Sequence, residues 1–390
     1  MKGEVKGNVQ NVRAPQSGLY YFICSALLFV VAAAASFNGF YAKYHFREYG
    51  LYTYPATAFD RMVDGTADRP FVFRQMLPQL ANWIDQATPS AVKDRLFGFQ
   101  YFGQQMRTMV FASPIAQSRT YFYRYVIVYA ATYVFALLSV IAMFMVCRAA
   151  GLPPAASVFA PVIVILLLPF IMTGGGYFYD YPELAFLSLA FVIALKLDWW
   201  WIIPIAALGT WNKESFLLAI PTLYPLVRQR NSRMQSLIAI GVLGLVCASV
   251  YLPLHWHFSQ NPGGTVLLMG KRQLDFYLSY HLLVGHAPLE MTYGILLPCA
   301  FGIVPLALLV WTVVRGWRQL PRSIQRYGQI AAIINVPLYL LFCYPGELRD
   351  FSLLYVVFLL VIAYNLNGWL NDSSQQEHGL SAGGGWGTSH

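Results

Sequence analysis

The chain reads as an all-α, polytopic helical membrane protein, and three observations carry that reading. Its 390 residues are 57% hydrophobic and only 11% charged, with a mean hydropathy of +0.51, a balance foreign to water-soluble domains. Several windows of about 20 residues, the length a helix needs to cross a hydrocarbon core, carry almost no charge. Lys and Arg gather in alternate loops, as they do when loops are sorted between two faces of a membrane.

Apolar runs bounded by charge, Pro or Gly predict about ten spans. The first, 18–42, follows Lys2, Lys6 and Arg13 and contains Ala32-Ala33-Ala34-Ala35-Ser36. Its apolar stretch continues through Phe37, Phe40 and Tyr41, so it reads as an uncleaved anchor and not as a signal peptide. The run 121–147 stops at Arg148, 154–173 stops at Gly174, and 181–197 lies between Asp180 and Asp198. The runs 199–210 and 214–228 are short, so Trp199 to Val227 is a broken pair, or else one helix interrupted at Gly209-Thr210-Trp211-Asn212, leaving about nine spans. Next come 235–254, between Arg233 and His255, and 290–314, ahead of Arg315. The last two are 327–344, between Arg326 and Pro345, and 350–369, beginning at Asp350.

Short-loop cations orient the spans. With the N-terminus inside, twelve face the cytoplasm: Lys2, Lys6, Arg13, Arg148, Lys196, Arg228, Arg230, Arg233, Arg315, Arg318, Arg322 and Arg326. Four face out: Lys213, Lys271, Arg272 and Arg349. The segment 43–120 is left out because long loops translocate whatever their charge. The expected topology is a multi-pass protein of the inner or plasma membrane with both termini cytoplasmic. Nine spans would put Arg228, Arg230 and Arg233 opposite the basic N-terminus.

The expected organisation is a cytoplasmic N-terminus at 1–17, a single transmembrane domain at 18–370 and a disordered cytoplasmic tail at 371–390, rich in Ser, Gln and Gly. The outer loop 43–120 carries two sets at helical spacing, Val72, Met76, Leu80, Trp83 and Phe99, Phe102, Met106, Met109. These predict two amphipathic helices lying in the interface or packed on the bundle.

Membrane orientation accounts for much of the net charge of +9, so nucleic acid is not the expected partner; the lipid bilayer is. The five cysteines lie in or beside apolar spans without CxxC spacing and read as small core residues. His255 and His257 have i, i+2 spacing but no nearby carboxylate, and with His281 and His286 they read as interfacial; no metal or other cofactor is indicated. There is no GxSxG, HExxH, Walker or GxGxxG motif, and Gly174–Gly176 reads as a flexible loop beside Asp180.

Five segments meet outside: 43–120, 173–181, 210–215, 255–290 and 344–350. Each carries ionisable groups near a helix mouth, where burial is costly unless the charge is paired or used. Carboxylates supply a base, and clustered Arg and Lys supply positive charge for phosphate. Asp60 is the candidate base. Arg61, Arg69, Arg74, Asp180, Glu183, Lys213, Glu214, Glu347 and Arg349 are candidate substrate-binding residues. Plainer readings stand beside these. Helix dipoles and capping favour Glu183, Glu214 and Asp350 where they are; Asp60 has Arg61 for a neighbour; Arg69, Arg74 and Arg349 have acids or lipid headgroups to meet.

A short cytoplasmic N-terminus, one span, a large first outer loop with an acidic residue, then many spans with short outer loops, resembles the GT-C superfamily of polytopic glycosyltransferases. Residues 69–78, with Asn212-Lys213-Glu214-Ser215 and Glu347-Leu348-Arg349, also resemble bacterial integral membrane proteins of this layout. The chain departs from better-known members in having Glu48 alone after Arg47, without a paired acidic motif directly after the first span. The resemblance implies inverting transfer of a sugar from a polyprenyl-phosphate carrier to a glycan or lipid acceptor on the outer face. It implies Asp60 as the base, with Asp64 or Asp68 as substitutes. Arg69, Arg74, Lys213 or Arg349 would neutralise the leaving phosphate, Asp180 and Glu214 would hold sugar hydroxyls, and Tyr177, Tyr179 and Trp211 would stack on sugar. Two rivals stand beside it: a polysaccharide polymerase or ligase, which would share the outer site, and a transporter of a lipid-linked or small polar substrate, which would call for polar residues near the midplane or matched broken helices where here most charges sit at span ends and only 199–228 is broken.

Overall fold

The computed structural model describes residues 18–44, 46, 58–98, 115–171, 177–264, 268–277, 303–343 and 348–382. Among them every regular element is helical, and the β-type pairing is confined to an isolated bridge between Arg69 and Gly263. In chain order the helices are α1 (Gly18–Tyr44), α2 (Phe59–Val63), α3 (Met76–Ala87), α4 (Ser90–Gly98), α5 (Phe122–Ala149), α6 (Pro154–Ile171), α7 (Asp180–Lys196) and α8 (Ile202–Asn212). They continue as α9 (Phe216–Ala219), α10 (Tyr224–Val227), α11 (Arg233–His257), α12 (Gly270–Tyr277), α13 (Ile303–Trp317), α14 (Arg322–Phe342) and α15 (Tyr355–Ala382).

Four stretches are long and apolar enough to cross a membrane: Gly18–Tyr41, Phe122–Ala149, Arg233–His257 and Leu348–Asn371. Shorter apolar helices cover Pro154–Pro169, Phe216–Val227 and Ala307–Trp317. A chain with no hydrogen-bonding partner in lipid must satisfy its backbone internally, which is why such apolar segments fold as helices. The build is that of a helical membrane protein. Leu19, Phe22, Leu27, Leu245 and Leu252 stand exposed on α1 and α11, which water would penalise and acyl chains would not.

Small residues let the helices approach. Ala32, Ala33 and Ser36 of α1 and Ala136 and Ser139 of α5 are fully covered. Ser36 donates to the Ile165 carbonyl at 2.6 Å and lies 2.9 Å from the Tyr181 hydroxyl, and Ser139 donates to the Tyr181 carbonyl at 2.9 Å. Hydroxyls on covered helix faces need such partners, and here they cross-tie α1, α5, α6 and α7. Toward the first loop an aromatic cluster takes over. Phe46 packs 5.9 Å from Phe59 and 5.0 Å from Tyr125, and Phe59 stands 4.9 Å from Tyr125. These rings seat α2 on the helix ends.

The structure alters three expectations. The break in Trp199–Val227 falls at Lys213, where the backbone turns extended after Asn212, so Gly209 to Asn212 are still helical. The chain then folds back and lays the Phe216 ring against Gly209, where an added Cβ would stand 2.6 Å from the ring. Gly209→Ala is therefore expected to destabilise the protein by about 1–3 kcal/mol through overpacking, read as a lowered unfolding midpoint; an unchanged midpoint would contradict this packing. Second, Val72 does not share a helix with Met76, Leu80 and Trp83, which lie together on α3. Phe71–Phe73 is a short 3-10 helix, and Arg74 and Gln75 break from it before α3, because Gln75 donates to the Val72 and Met62 carbonyls at 2.7 and 3.3 Å. Third, α15 continues to Ala382, past Asn371 and through Gly379. The second predicted amphipathic set, Phe99 to Met109, lies outside the described residues, as does 290–302.

Candidate functional site

Segments far apart in sequence meet at one end of the helices. Arg74 comes from the turn before α3, Asp180 and Glu183 open α7, Lys213 and Glu214 form the fold-back after α8, and Arg349 and Ser352 lie in the 3-10 helix heading the last span. Helix ends leave backbone groups unpaired and so attract polar side chains; here that tendency has concentrated charge.

Arg74 forks onto Glu214, Nη2 to Oε1 at 2.9 Å and Nε to Oε2 at 3.2 Å, and its Nη1 donates to the Tyr179 hydroxyl. Its guanidinium lies 4.5 Å over the Tyr179 ring and 5.1 Å over Phe71. Lys213 donates to Glu183 at 2.7 Å and stands 3.8 Å from Asp180. The other Glu183 oxygen accepts from Ser352 at 2.7 Å and Ser215 at 3.0 Å. Asp180 accepts the Tyr177 amide at 2.8 Å and Arg349 Nη1 at 3.4 Å. Tyr177 stacks on Tyr179 with centroids 4.8 Å apart and is itself covered by Arg349 at 4.6 Å. Asn212 donates to the Tyr179 carbonyl at 2.9 Å, fixing the fold-back against the start of α7.

The side chains of Asp180, Glu183, Lys213 and Arg349 are only 4–6% exposed. Ions so far from water persist only if neutralised. They are: Arg74 faces Glu214, Lys213 faces Glu183 and Asp180, and Arg349 faces Asp180, with the Asp350 carboxylate a fourth acid interacting with Arg349 and Lys213. Burial alone would lower the Arg74 pKa, but the Glu214 carboxylate outweighs it and holds the guanidinium well above its usual value.

No protein family, curated protein or solved structure matches this chain. The residues must therefore speak for themselves.

The structure brings together seven of the candidate residues, Arg74, Asp180, Glu183, Lys213, Glu214 and Arg349 with Tyr179 among them. Their pairing bears on the expected role of the cations. A phosphate reaching Arg74, Lys213 or Arg349 would have to displace a buried carboxylate, so this cluster ties the first loop to three helix ends instead of offering free positive charge. Asp180 and Glu214 are likewise taken up as counter-ions, and Tyr177 and Tyr179 as covers for guanidinium groups.

Asp60, Arg61 and Arg69 stand outside that cluster, on the loop it anchors. Asp60 Oδ1 is buried without a hydrogen-bond partner, and no ion pair joins it to Arg61, which is exposed. Arg69 spends Nη2 on the Gly263 carbonyl at 2.8 Å and makes no ion pair among the described residues. Asp64 is committed: it accepts from the Tyr121 hydroxyl and from Arg124 at 3.4 Å. That bond to Asp64, then burial and the charges of Asp64 and Asp60, push the Tyr121 pKa up to about 12. Glu347 and Gly174–Gly176 lie outside the described residues, as do His281 and His286. His255 packs its ring 5.3 Å from Phe73, and among the described residues no His, Cys, Asp and Glu group is placed to hold a metal.

Ser352 was missed by the motif reading, although it lies three residues beyond Arg349, on the same side of a helical turn. An unpartnered carboxylate oxygen can take a proton from a hydroxyl, and arginines on the same loop without an acidic partner among the described residues can meet an anion.

Proposed function

We propose that this protein is a membrane glycosyltransferase that moves a sugar from a polyprenyl-phosphate carrier to a hydroxyl acceptor, with Asp60 as base. One observation carries the reading. Asp60 keeps a carboxylate oxygen without a partner on a loop that is otherwise pinned down by the Arg74–Glu214 ion pair and by the bonds of Arg69, Gly65 and Ala67 to residues 261–264. A buried acid left unpaired costs stability, and such costs concentrate where chemistry needs them.

Asp60 accepts the proton as the acceptor oxygen attacks the anomeric carbon. The bond from that carbon to the phosphate oxygen breaks, its electron pair leaves with the polyprenyl phosphate, and configuration inverts. Arg61 and Arg69, the cations left without acidic partners, meet the charge developing on the phosphate. The ion-pair cluster positions the loop through Arg74. With about ten spans and the N-terminus cytoplasmic, this site faces outward, where a lipid-linked donor is presented.

The transporter reading draws on the buried Lys213–Asp180–Glu183–Arg349 network, since ionisable groups packed between spans often mark an ion pathway. Donor choice separates the two. Purified protein in proteoliposomes should transfer labelled sugar from polyprenyl phosphate and none from a nucleotide sugar. Transfer from the nucleotide sugar alone would refute the lipid-donor assignment.

A further inference from the structure

One helical turn beyond Asp60, at Asp64, the first loop and the end of α11 frame an open cavity of about 410 Å³ that the ion-pair cluster does not line. That volume falls in the range, roughly 300–1,000 Å³, of small-molecule sites. Its walls are unusually rich in uncharged polar groups, among them Gln79, Asn82, Gln86 and Asn261, with Trp83 and His257.

The frame is fixed. Asn261 donates to the Gly65 and Ala67 carbonyls, both at 2.9 Å. Arg69 N–H donates to the Pro262 carbonyl at 2.9 Å, and the Gly264 amide to the Arg69 carbonyl at 3.2 Å. Gly263 has φ +84°, and a Cβ there would stand 2.7 Å from the Arg69 carbonyl oxygen, so the close approach needs glycine. Asn82 is held between the Val63 carbonyl at 2.9 Å and Arg124 at 3.2 Å. The one carboxylate in the wall, Asp64, is neutralised by Arg124, so the cavity offers no net charge to a phosphate or a metal.

What it offers is a flat ring and hydrogen-bonding ends. Trp83 is 54% exposed and backed by Trp211, centroids 5.5 Å apart, so its free face is presented rigidly. Gln86 and His257 are exposed and engage no hydrogen-bond partner in the described structure. An aromatic face with surrounding amides matches a molecule with an apolar face and a rim of hydroxyls. Asp64 follows Asp60 by one helical turn, its amide bonded to the Asp60 carbonyl at 2.8 Å.

We propose that this cavity binds a neutral sugar ring and serves as the acceptor subsite, a role that rests on the transferase reading above. The probes are methyl α- and β-glycosides of glucose, galactose, mannose and N-acetylglucosamine, followed by saturation-transfer NMR on protein in nanodiscs. At least one should bind the wild type, and Trp83→Ala should weaken it by at least about tenfold, with Gln86→Leu weaker in the same direction. Both side chains are exposed, so both variants should fold, checked by unfolding midpoint. No binding of any glycoside, or equal binding by Trp83→Ala, overturns the proposal. In the transfer assay Trp83→Ala should raise the acceptor KM while kcat and the donor KM stay put. Transfer with an unchanged acceptor KM sinks the subsite alone. Glycoside binding lost in Trp83→Ala, from a wild type that transfers nothing, sinks the transferase reading and the acceptor role with it.

Discussion

Asp60→Asn is expected to lower sugar transfer by about 10²–10⁴-fold, the usual worth of a positioned general base, while leaving the protein folded. Asn keeps the shape of Asp but neither charge nor proton affinity. The fold should tolerate it because Asp60 Oδ1 receives no hydrogen bond that the change would remove. Asp64→Asn is the informative partner. It removes the charge facing Arg124 and replaces one of the two oxygens that accept from Tyr121 and Arg124 with an NH2 donor, so it should cost stability, with a smaller effect on turnover per folded molecule. Equal kcat in Asp60→Asn and wild type would remove Asp60 from the chemistry; a larger loss in Asp64→Asn at matched folding would shift the base to Asp64.

Lys213→Met should be the most damaging substitution to stability, by about 3–5 kcal/mol. Lys213 is the shared counter-ion of Glu183 at 2.7 Å and Asp180 at 3.8 Å, all about 5% exposed. Methionine fills the space but leaves Glu183 with only the hydroxyls of Ser215 and Ser352, and dipoles do not cancel a buried charge. Asp180 suffers less, since Arg349 and the Tyr177 amide remain. Adding Glu183→Gln should recover much of the loss, because replacing both partners removes the orphaned ion. Reversible unfolding in mixed micelles measures both. A single mutant within about 0.5 kcal/mol of wild type, the range of ordinary surface changes, would show that this pair is not buried as described.

Much of this was legible in the sequence because bilayer physics leaves few options. Apolar runs had to be helices, and charges beside Gly174, Asn212 and Pro345 had to lie at helix ends. The grouping of Arg74, Asp180, Glu183, Lys213, Glu214 and Arg349 followed from topology, since alternate loops share a side. Pairing was not legible. Spacing says that Arg74 and Glu214 approach one another, but only geometry shows that their fork leaves Arg74 no charge to offer. Asp60 and Arg61 are adjacent in sequence yet project about 100° apart on a helical turn, so adjacency did not predict an ion pair. The cavity beside Trp83 escaped for another reason: Gln79, Asn82 and Gln86 share a helical face, but the opposite wall, His257 and Asn261, comes from far along the chain.

The reading as a transferase stands or falls on bond cleavage. Proteoliposomes loaded with polyprenyl phosphate carrying a doubly labelled sugar and phosphate, and supplied with acceptor, should release free polyprenyl phosphate in step with sugar appearing on the acceptor. Intact donor recovered on the opposite leaflet, with neither label separated from the other, would contradict it and make the protein a transporter.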